Sequence, residues 1–199
     1  YLNNNIVCFF NILESCRKYK VKKLLFASSS SVYGNLKKPK FNEEDKTDYP
    51  IQFYAATKKS NEVMAHSYSS LYKIKCIGLR FFTVYGPWGR PDMSIFKFTN
   101  NILKNKKIDI FNNGKHERDF TYVTDVCTSI LKIIHSNFKK DFYLFNIGNS
   151  KPQKLLKLIK ILEKILNKKA KKNYLGLQRG DIEKTSSNST LLFKKIKYK

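Results

Sequence analysis

Residues 24–34 read LLFASSSSVYG, and residues 54–58 read YAATK. The first stretch is an apolar run that ends abruptly in four consecutive hydroxyl side chains. This pattern is typical of a buried strand in a parallel sheet, whose carboxyl end opens on the crevice where α/β proteins bind ligands. In the second stretch Tyr54 and Lys58 lie four residues apart, so they share one face of a helix. Together the two stretches predict an α/β fold with a polar site at a strand end.

The side chains at this site suit proton abstraction from a sugar or alcohol hydroxyl. An ammonium group near a phenol favours the phenolate form. A neighbouring hydroxyl can hold the substrate oxygen while the phenolate takes its proton. Ser29, Tyr54 and Lys58 are therefore candidate catalytic residues. The alternative is a strand-end turn followed by an ordinary amphipathic helix, because a lone Tyr-x-x-x-Lys occurs by chance in many helices.

Composition bounds the class of protein. The 199 residues allow one domain or slightly more, and 42% hydrophobic residues are enough for a core. No stretch reaches the roughly 18 apolar residues that a membrane span needs. The net charge of +24 suggests nucleic acid. However, few of the basic residues are arginine and the lysines are spread along the chain, so we expect only weak attraction to polyanions.

Cysteine spacing indicates the redox environment. The 4 cysteines form no C-x-x-C pair and stand in apolar contexts. We therefore expect reduced, buried thiols in a cytoplasmic protein and no metal site.

Helical and strand patterns alternate along the chain. The first half predicts helices over 3–19 and 53–72, strands over 22–29 and 76–81, and a loop over 35–50. This order is typical of a doubly wound α/β fold. The remaining predictions are a helix over 94–104, a strand over 108–111, a turn at 112–114, a helix capped by Thr124 or Asp125, a strand over 144–148 and a basic amphipathic helix over 153–168. The last helix is expected to dock on the domain, with a membrane surface as the alternative.

A loop rich in aromatic residues follows the second strand. Residues 80–93 read RFFTVYGPWGRPDM, with two Gly and two Pro within six residues. Arg90 in this loop can hold a carboxylate through two parallel hydrogen bonds. The alternative for Arg90 is a solvated loop charge.

These segments resemble the extended short-chain dehydrogenase/reductases, within the NAD-dependent epimerase/dehydratase family. The signature is a Ser-rich strand end followed by Tyr-x-x-x-Lys about 25 residues later. Residues 80–93 and the block RDFTYVTDV at 118–126 look most like the UDP-glucuronate 4-epimerases. The resemblance implies a Rossmann-like doubly wound parallel sheet with a smaller α/β substrate-binding portion.

The resemblance also implies ligands and the residues that hold them. The implied cofactor is NAD and the implied partner is a UDP-sugar substrate. Cofactor-binding residues would be Asn5, Ser28, Tyr54, Lys58, Phe81 and Phe82, although Asn5 could equally be a helix cap. Substrate-binding residues would be Ser30, Ser31, Thr83, Arg90, Arg118 and Asp181. Within that set, Thr83 and Arg90 would hold a sugar carboxylate, Arg118 the diphosphate and Asp181 the ribose. An alternative for Arg118 is a structural ion pair with Glu117 or Asp119.

The implied reaction is epimerisation at C4, from UDP-glucuronate to UDP-galacturonate through a 4-keto intermediate. Epimerases of uncharged hexoses carry Asn at the Thr83 position. Dehydratases carry Asp-Glu at Ser30 and Ser31, and elimination is hard to run without such a carboxylate. The alternatives are a UDP-glucose/UDP-galactose 4-epimerase, a non-catalytic fragment that binds nucleotide sugar or dimerises, and a basic nucleic-acid binder.

The chain contains no Gly-rich dinucleotide fingerprint among its 8 glycines. Family members carry that fingerprint on their first strand, so we expect an N-terminally truncated chain with an exposed sheet edge. Residues 1–90 would be a partial NAD-binding domain. Residues 91–199 would mainly bind substrate, with some segments returning to the Rossmann sheet. The resemblance further implies a homodimer through the helices at 3–19 and 53–72, and no specific nucleic-acid or membrane partner.

Overall fold

A computed structural model describes residues 1–197, so the last two residues of the predicted substrate-binding portion lie outside the described part. The chain starts in a π-helical turn over Leu2–Val7. The helices that follow are α1 (Cys8–Lys18), α2 (Phe53–Tyr72), α3 (Ser94–Leu103), α4 (Val123–His135), α5 (Leu155–Leu166) and α6 (Thr190–Ile196). The strands are β1 (Lys23–Ser29), β2 (Lys75–Phe81), β3 (Thr83–Tyr85), β4 (Lys107–Ile110), β5 (Glu117–Arg118), β6 (Phe120–Tyr122), β7 (Phe142–Ile147), β8 (Gln153–Lys154) and β9 (Lys171–Tyr174).

A three-stranded parallel sheet in the order β1-β2-β7 forms the centre of the fold. Leu25 pairs with Ile77, which pairs in turn with Tyr143. Helices cover both faces of this sheet, so β2 is buried along most of its length, as expected for a parallel sheet. The prediction of a doubly wound α/β fold is confirmed.

Two hydrophobic clusters hold helices against the sheet. On one face α1 and α2 pack through Phe9, Leu13, Phe26, Ala65 and Cys76. On the other face α4 and α6 pack through a second cluster, which includes Ile77, Leu79, Ile133, Phe145 and Leu192. The strands β1 and β2 end at Ser29 and Phe81, between these two layers.

The strand β1 lies at an edge of the sheet. Within residues 1–197 its sheet neighbour is β2 alone, and Ala27 near its carboxyl end is exposed. The predicted helix over 53–72 and the strands near 22–29 and 76–81 are confirmed to within a residue.

The basic helix α5 belongs to a smaller layer with α3, β4 and β9. Its Ile159 and Leu162 are buried against Phe98, Ile102 and Ile108. A docked helix is thus confirmed, and it starts at Leu155 because residues 153–154 form β8. Among residues 1–197, no helix is long and apolar enough to cross a membrane.

Two sequence predictions need correction. Helix α4 begins at Val123, so Thr124 and Asp125 lie inside its first turn and the predicted cap is wrong. Asp125 there still interacts favourably with the helix dipole. The four thiols are free, but Cys8 and Cys127 are exposed, so the prediction of buried thiols holds only for Cys16 and Cys76. In α1 the buried positions are Phe9, Leu13 and Cys16, one helical face that leaves Cys8 on the solvent side.

Candidate active site

A crevice of about 640 Å³ opens at the carboxyl ends of β1 and β2. Ligand sites of open parallel sheets lie at such ends. Its walls are the end of β1, the first turns of α2, the loop after β2, and Arg118 with Asp181 from later in the chain. Every predicted site residue except Asn5 lines it: Ser28, Ser29, Ser30, Ser31, Tyr54, Lys58, Phe81, Phe82, Thr83, Arg90, Arg118 and Asp181.

The Ser-rich strand end turns sharply into a 3₁₀ turn over Ser30–Tyr33. Ser29 is the last extended residue, and its Oγ accepts a 3.2 Å hydrogen bond from the Ser31 backbone N–H. The Ser29 hydroxyl also donates to Ser31 Oγ at 3.1 Å. The side chain of a hydroxyl residue at this position satisfies a free N–H of the turn. As a result the Ser29 oxygen is held in one place at the rim of the crevice.

Tyr54 and Lys58 reach the same crevice from the first turns of α2. Lys58 Nζ lies 5.9 Å from the centroid of the Tyr54 ring. It also donates a 3.0 Å hydrogen bond to the Ala27 carbonyl of β1. Burial lowers the pKa of Lys58 from its ordinary value. The ammonium is therefore held between the strand end and the Tyr54 ring.

Arg118 and Asp181 form one polar corner of the crevice although they are far apart in sequence. Arg118 Nη2 lies 2.9 Å from Asp181 Oδ1. Arg118 Nη1 donates to the carbonyls of Glu117, at 3.1 Å, and Glu183, at 3.0 Å. Burial lowers the pKa of Arg118, and the Asp181 charge opposes that effect. The proposed pairing with the Glu117 or Asp119 side chain is wrong, since the carboxylate partner is Asp181.

His116 stands behind this corner and was not identified from the sequence. It is 4% exposed, and its Nε2 lies 3.1 Å from Asp181 Oδ2 without an aligned hydrogen bond. Burial, followed by the nearby Arg118 charge, lowers the pKa of His116. A single histidine between unrelated residues has no motif, so only the fold reveals that it faces Asp181.

Arg90 projects from the loop after β2, which forms another wall of the crevice. Its side chain is 74% exposed and makes a two-point ion pair with Asp92, with Nε 3.0 Å from Oδ1. This pairing lowers the pKa of Asp92. Gly86 allows the loop to turn, because its φ is +135° and a Cβ there would lie 2.7 Å from Val123. The guanidinium is thus an accessible, carboxylate-binding group on the crevice wall.

A model of the NAD dependent epimerase/dehydratase family matches residues 1–148. The chain belongs to this family. It is 51% identical over 199 residues to an uncharacterised protein of Methanocaldococcus jannaschii, covering 100% of this chain and 60% of that protein. It is 46% identical over 215 residues to UDP-glucuronate 4-epimerase 5 of Arabidopsis thaliana, covering 100% of this chain and 49% of that protein.

A solved epimerase structure shows the same fold. The UDP-glucuronic acid 4-epimerase from Bacillus cereus, in complex with UDP-glucuronic acid and NAD, matches with a TM-score of 0.95 at 33% identity. That match covers 100% of this chain and 63% of the Bacillus chain. The chain therefore spans less than two thirds of the length of these epimerase-family relatives.

Two residues that the epimerase resemblance assigned to the cofactor, Ser28 and Phe82, contact other residues of this chain through their side chains. The Ser28 hydroxyl points into α2 and donates to Glu62 Oε1 at 2.6 Å, so only its backbone faces the crevice freely. Phe82 borders the crevice, but its ring packs with Tyr33 and Phe41 in a small cluster. Phe81 is less buried and is the more accessible of the two rings.

Asn5 lies outside the crevice wall in this family member. It sits within the turn Leu2–Val7, so the interpretation as a helix cap is wrong. Its Nδ2 donates to Thr57 Oγ1 at 2.8 Å, which ties the start of the chain to α2 beside Lys58. Among residues 1–197, no group of three or more His, Cys, Asp or Glu side chains is arranged to hold a metal ion.

Proposed function

We propose that this chain forms the catalytic and substrate-binding face of an NAD-dependent enzyme that epimerises C4 of a UDP-hexuronate, interconverting UDP-glucuronate and UDP-galacturonate. The observation that carries the proposal is one crevice that joins Ser29, Tyr54 and Lys58 to the accessible Arg90. The first three suit proton abstraction from a hydroxyl. Arg90 suits a carboxylate, which distinguishes a hexuronate from an uncharged hexose.

The crevice fits NAD on the side formed by β1 and α2. Lys58 would hold ribose hydroxyls, Phe81 would border the ring, and Tyr54 would lie beside both ligands. Ser28 would contribute through its backbone, whereas Asn5 and Phe82 would support the wall from behind it. The bound cofactor would supply reversible hydride transfer at C4. No Gly-rich fingerprint occurs in these residues, so this chain supplies only one part of the dinucleotide cradle.

The proton is handled by residues of this chain. Ser29 would hold the C4 oxygen, because its hydroxyl is fixed at the strand end. Tyr54 would take the C4 hydroxyl proton as phenolate, with Lys58 stabilising the phenolate charge. After the 4-keto sugar turns over in the crevice, Tyr54 would return the proton to the oxygen.

The nucleotide and the uronate would be held at opposite ends of the crevice. Arg118 would contact the diphosphate and Asp181 the ribose, since their ion pair places the two groups side by side. Thr83 and Arg90 would hold the sugar carboxylate, and Ser30 and Ser31 would hydrogen bond to the sugar. We assign residues 1–90 to a partial NAD-binding domain that carries the catalytic residues and also contributes Ser30, Ser31, Thr83 and Arg90 to the sugar site. Residues 91–199 would mainly bind substrate, and β7 returns from them to the central sheet.

The direct test is turnover of UDP-glucuronate by the complete protein and its Tyr54→Phe variant. We expect the loss of the proton acceptor to lower kcat by roughly 10²- to 10⁴-fold, the usual contribution of acid–base catalysis. UDP affinity should stay within about twofold. Tyr49→Phe is the matched control, because Tyr49 is 86% exposed and outside the crevice. Equal turnover by wild type and Tyr54→Phe would refute the assignment, and turnover of UDP-glucose alone would move it to the uncharged-hexose epimerases.

We also propose a homodimer through α1 and α2 and a cytoplasmic location. These helices carry exposed apolar side chains: Phe10 at 46%, Ile12 at 47%, Val63 at 58% and Leu71 at 68%. Exposed apolar surface on both helices supports a protein partner there. Free, exposed thiols suit a reducing compartment. Sedimentation of the complete protein and its Val63→Lys variant tests the dimer, with a shift to monomer expected for the variant.

A further inference from the structure

A buried ion pair lies directly behind the serine-rich strand end. Arg80 on β2 and Glu62 on α2 have side chains only 2% and 3% exposed. Arg80 Nε lies 2.8 Å from Glu62 Oε1, and Arg80 Nη2 lies 2.9 Å from Oε2. Desolvation can cancel the Coulombic gain of such a pair, so stability alone is a weak explanation for it. Its place beside the crevice suggests a geometric role.

Glu62 connects this ion pair to the strand that carries Ser29. Its Oε1 accepts a 2.6 Å hydrogen bond from the Ser28 hydroxyl. One helical turn earlier, Lys58 Nζ donates to the Ala27 carbonyl at 3.0 Å. Two successive residues of β1 are therefore bonded to two successive turns of α2. This double connection sets the register between the strand end and the helix.

Arg80 extends the same network toward the rest of the sheet. Its Nη1 donates to Tyr33 Oη at 2.9 Å and to the Glu43 carbonyl at 3.1 Å. Tyr33 in turn donates to Asn146 Oδ1 on β7 at 2.7 Å. Each end of the ion pair thus has further partners, and the network spans β1, β2, β7 and α2. A shift of α2 along β1 would break several of these bonds together.

We propose that Glu62 is a positioning residue for the C4 epimerisation, acting through Ser28 and Arg80 on the distance between Ser29 and the Tyr54–Lys58 pair. This inference rests on the proposed function. Ser29 follows Ser28 directly, so movement of Ser28 moves the hydroxyl that would hold the C4 oxygen. A misplacement of about 1 Å in a reacting group can cost on the order of 10²-fold in rate.

The test uses two variants of the complete protein. Ser28→Ala removes the connection to the strand and leaves the ion pair intact. Glu62→Leu combined with Arg80→Met replaces the pair with apolar side chains of similar size, which buried sites commonly tolerate. We expect kcat for UDP-glucuronate to fall roughly three- to tenfold in Ser28→Ala and by more than about tenfold in the double variant, in proportion to the displacement of Ser29. KM and the dissociation constant for NAD should stay within about twofold.

Ser189→Ala is the matched control, because it also removes one buried hydroxyl, which donates to the Gly148 carbonyl at 2.8 Å, far from α2. The Ser189→Ala variant should lose about as much stability as Ser28→Ala and have the kcat of wild type. Unchanged kcat in both test variants, with an active wild type, would overturn the positioning role. Weaker NAD binding by Ser28→Ala at unchanged kcat would overturn it too, by making Ser28 a cofactor contact. An inactive wild type would refute the proposed function itself, and the inference with it.

Discussion

Removing one partner of the Glu62–Arg80 ion pair should destabilise the fold far more than removing both. In Arg80→Met, the Glu62 carboxylate stays only 3% exposed and loses two short hydrogen bonds, at 2.8 and 2.9 Å. An uncompensated buried charge of this kind costs about 3–5 kcal/mol. In the double variant Glu62→Leu/Arg80→Met neither charge remains, although the Ser28 hydroxyl, the Tyr33 oxygen and the Glu43 carbonyl each lose one partner, so we expect a smaller loss than in Arg80→Met. The coupling energy between the two side chains is the loss in the double variant minus the losses in Arg80→Met and in Glu62→Leu alone.

Thermal unfolding of the complete protein, followed by circular dichroism, measures this contrast. A loss of 1 kcal/mol lowers Tm by about 2–4 °C in proteins of 150–250 residues, so Arg80→Met should melt roughly 6–20 °C below wild type. The double variant should recover most of that difference. If Arg80→Met and Glu62→Leu alone each melt within about 2 °C of wild type, the reasoning is refuted. A double variant whose loss equals the sum of the two single losses would refute it as well.

Three further predictions follow from burial and charge. Thiol titration of the native protein should label two cysteines quickly and the other two only after unfolding. Cys8 and Cys127 are exposed, whereas burial raises the pKa of Cys76 to about 12 and also raises the pKa of Cys16. The pKa of His116 is below 6.5 in the folded state, so on acidification the unfolded chain binds a proton at His116 before the folded protein does. The free energy of unfolding should therefore fall as pH drops below 6.5, by at most about 1.4 kcal/mol per pH unit. Denaturation of His116→Asn across pH 5–7 should show no such fall in the free energy of unfolding. The control variant His135→Asn, at an exposed site, should show the same fall as wild type. Arg90→Leu should raise KM for UDP-glucuronate by roughly tenfold or more and leave KM for UDP-glucose unchanged; equal effects on both substrates would contradict a carboxylate contact.

The local patterns of the sequence predicted the central sheet and its neighbouring helices well. The apolar run before Ser28 and the i, i+4 spacing of Tyr54 and Lys58 are signals that lie within a few residues. The same stretch therefore located the strand end and one wall of the crevice. Helix α5 was equally clear, since its leucines and isoleucines recur with a helical period.

Other features depend on contacts between distant segments, so local sequence patterns did not predict them. Strand β9 reads KKNY and is exposed along its length, so it has no alternation to identify it. The Arg118–Asp181 ion pair joins residues 63 positions apart. It forms because the loop between β9 and α6 carries Asp181 to Arg118. Likewise, the sequence placed Arg80 near the end of a predicted strand, but only the packing of α2 on β2 makes it the partner of the buried Glu62.

The proposed function requires that NAD bound in this crevice take up and return the hydride at C4 of one UDP-hexuronate. The most direct measurement is the fate of deuterium at C4 of UDP-glucuronate, followed by mass spectrometry and NMR with the complete protein. We expect UDP-galacturonate that keeps its deuterium at C4, with no hydrogen taken up from solvent, and no product from Tyr54→Phe. Loss of the deuterium to water, or conversion that survives in Tyr54→Phe, would contradict it.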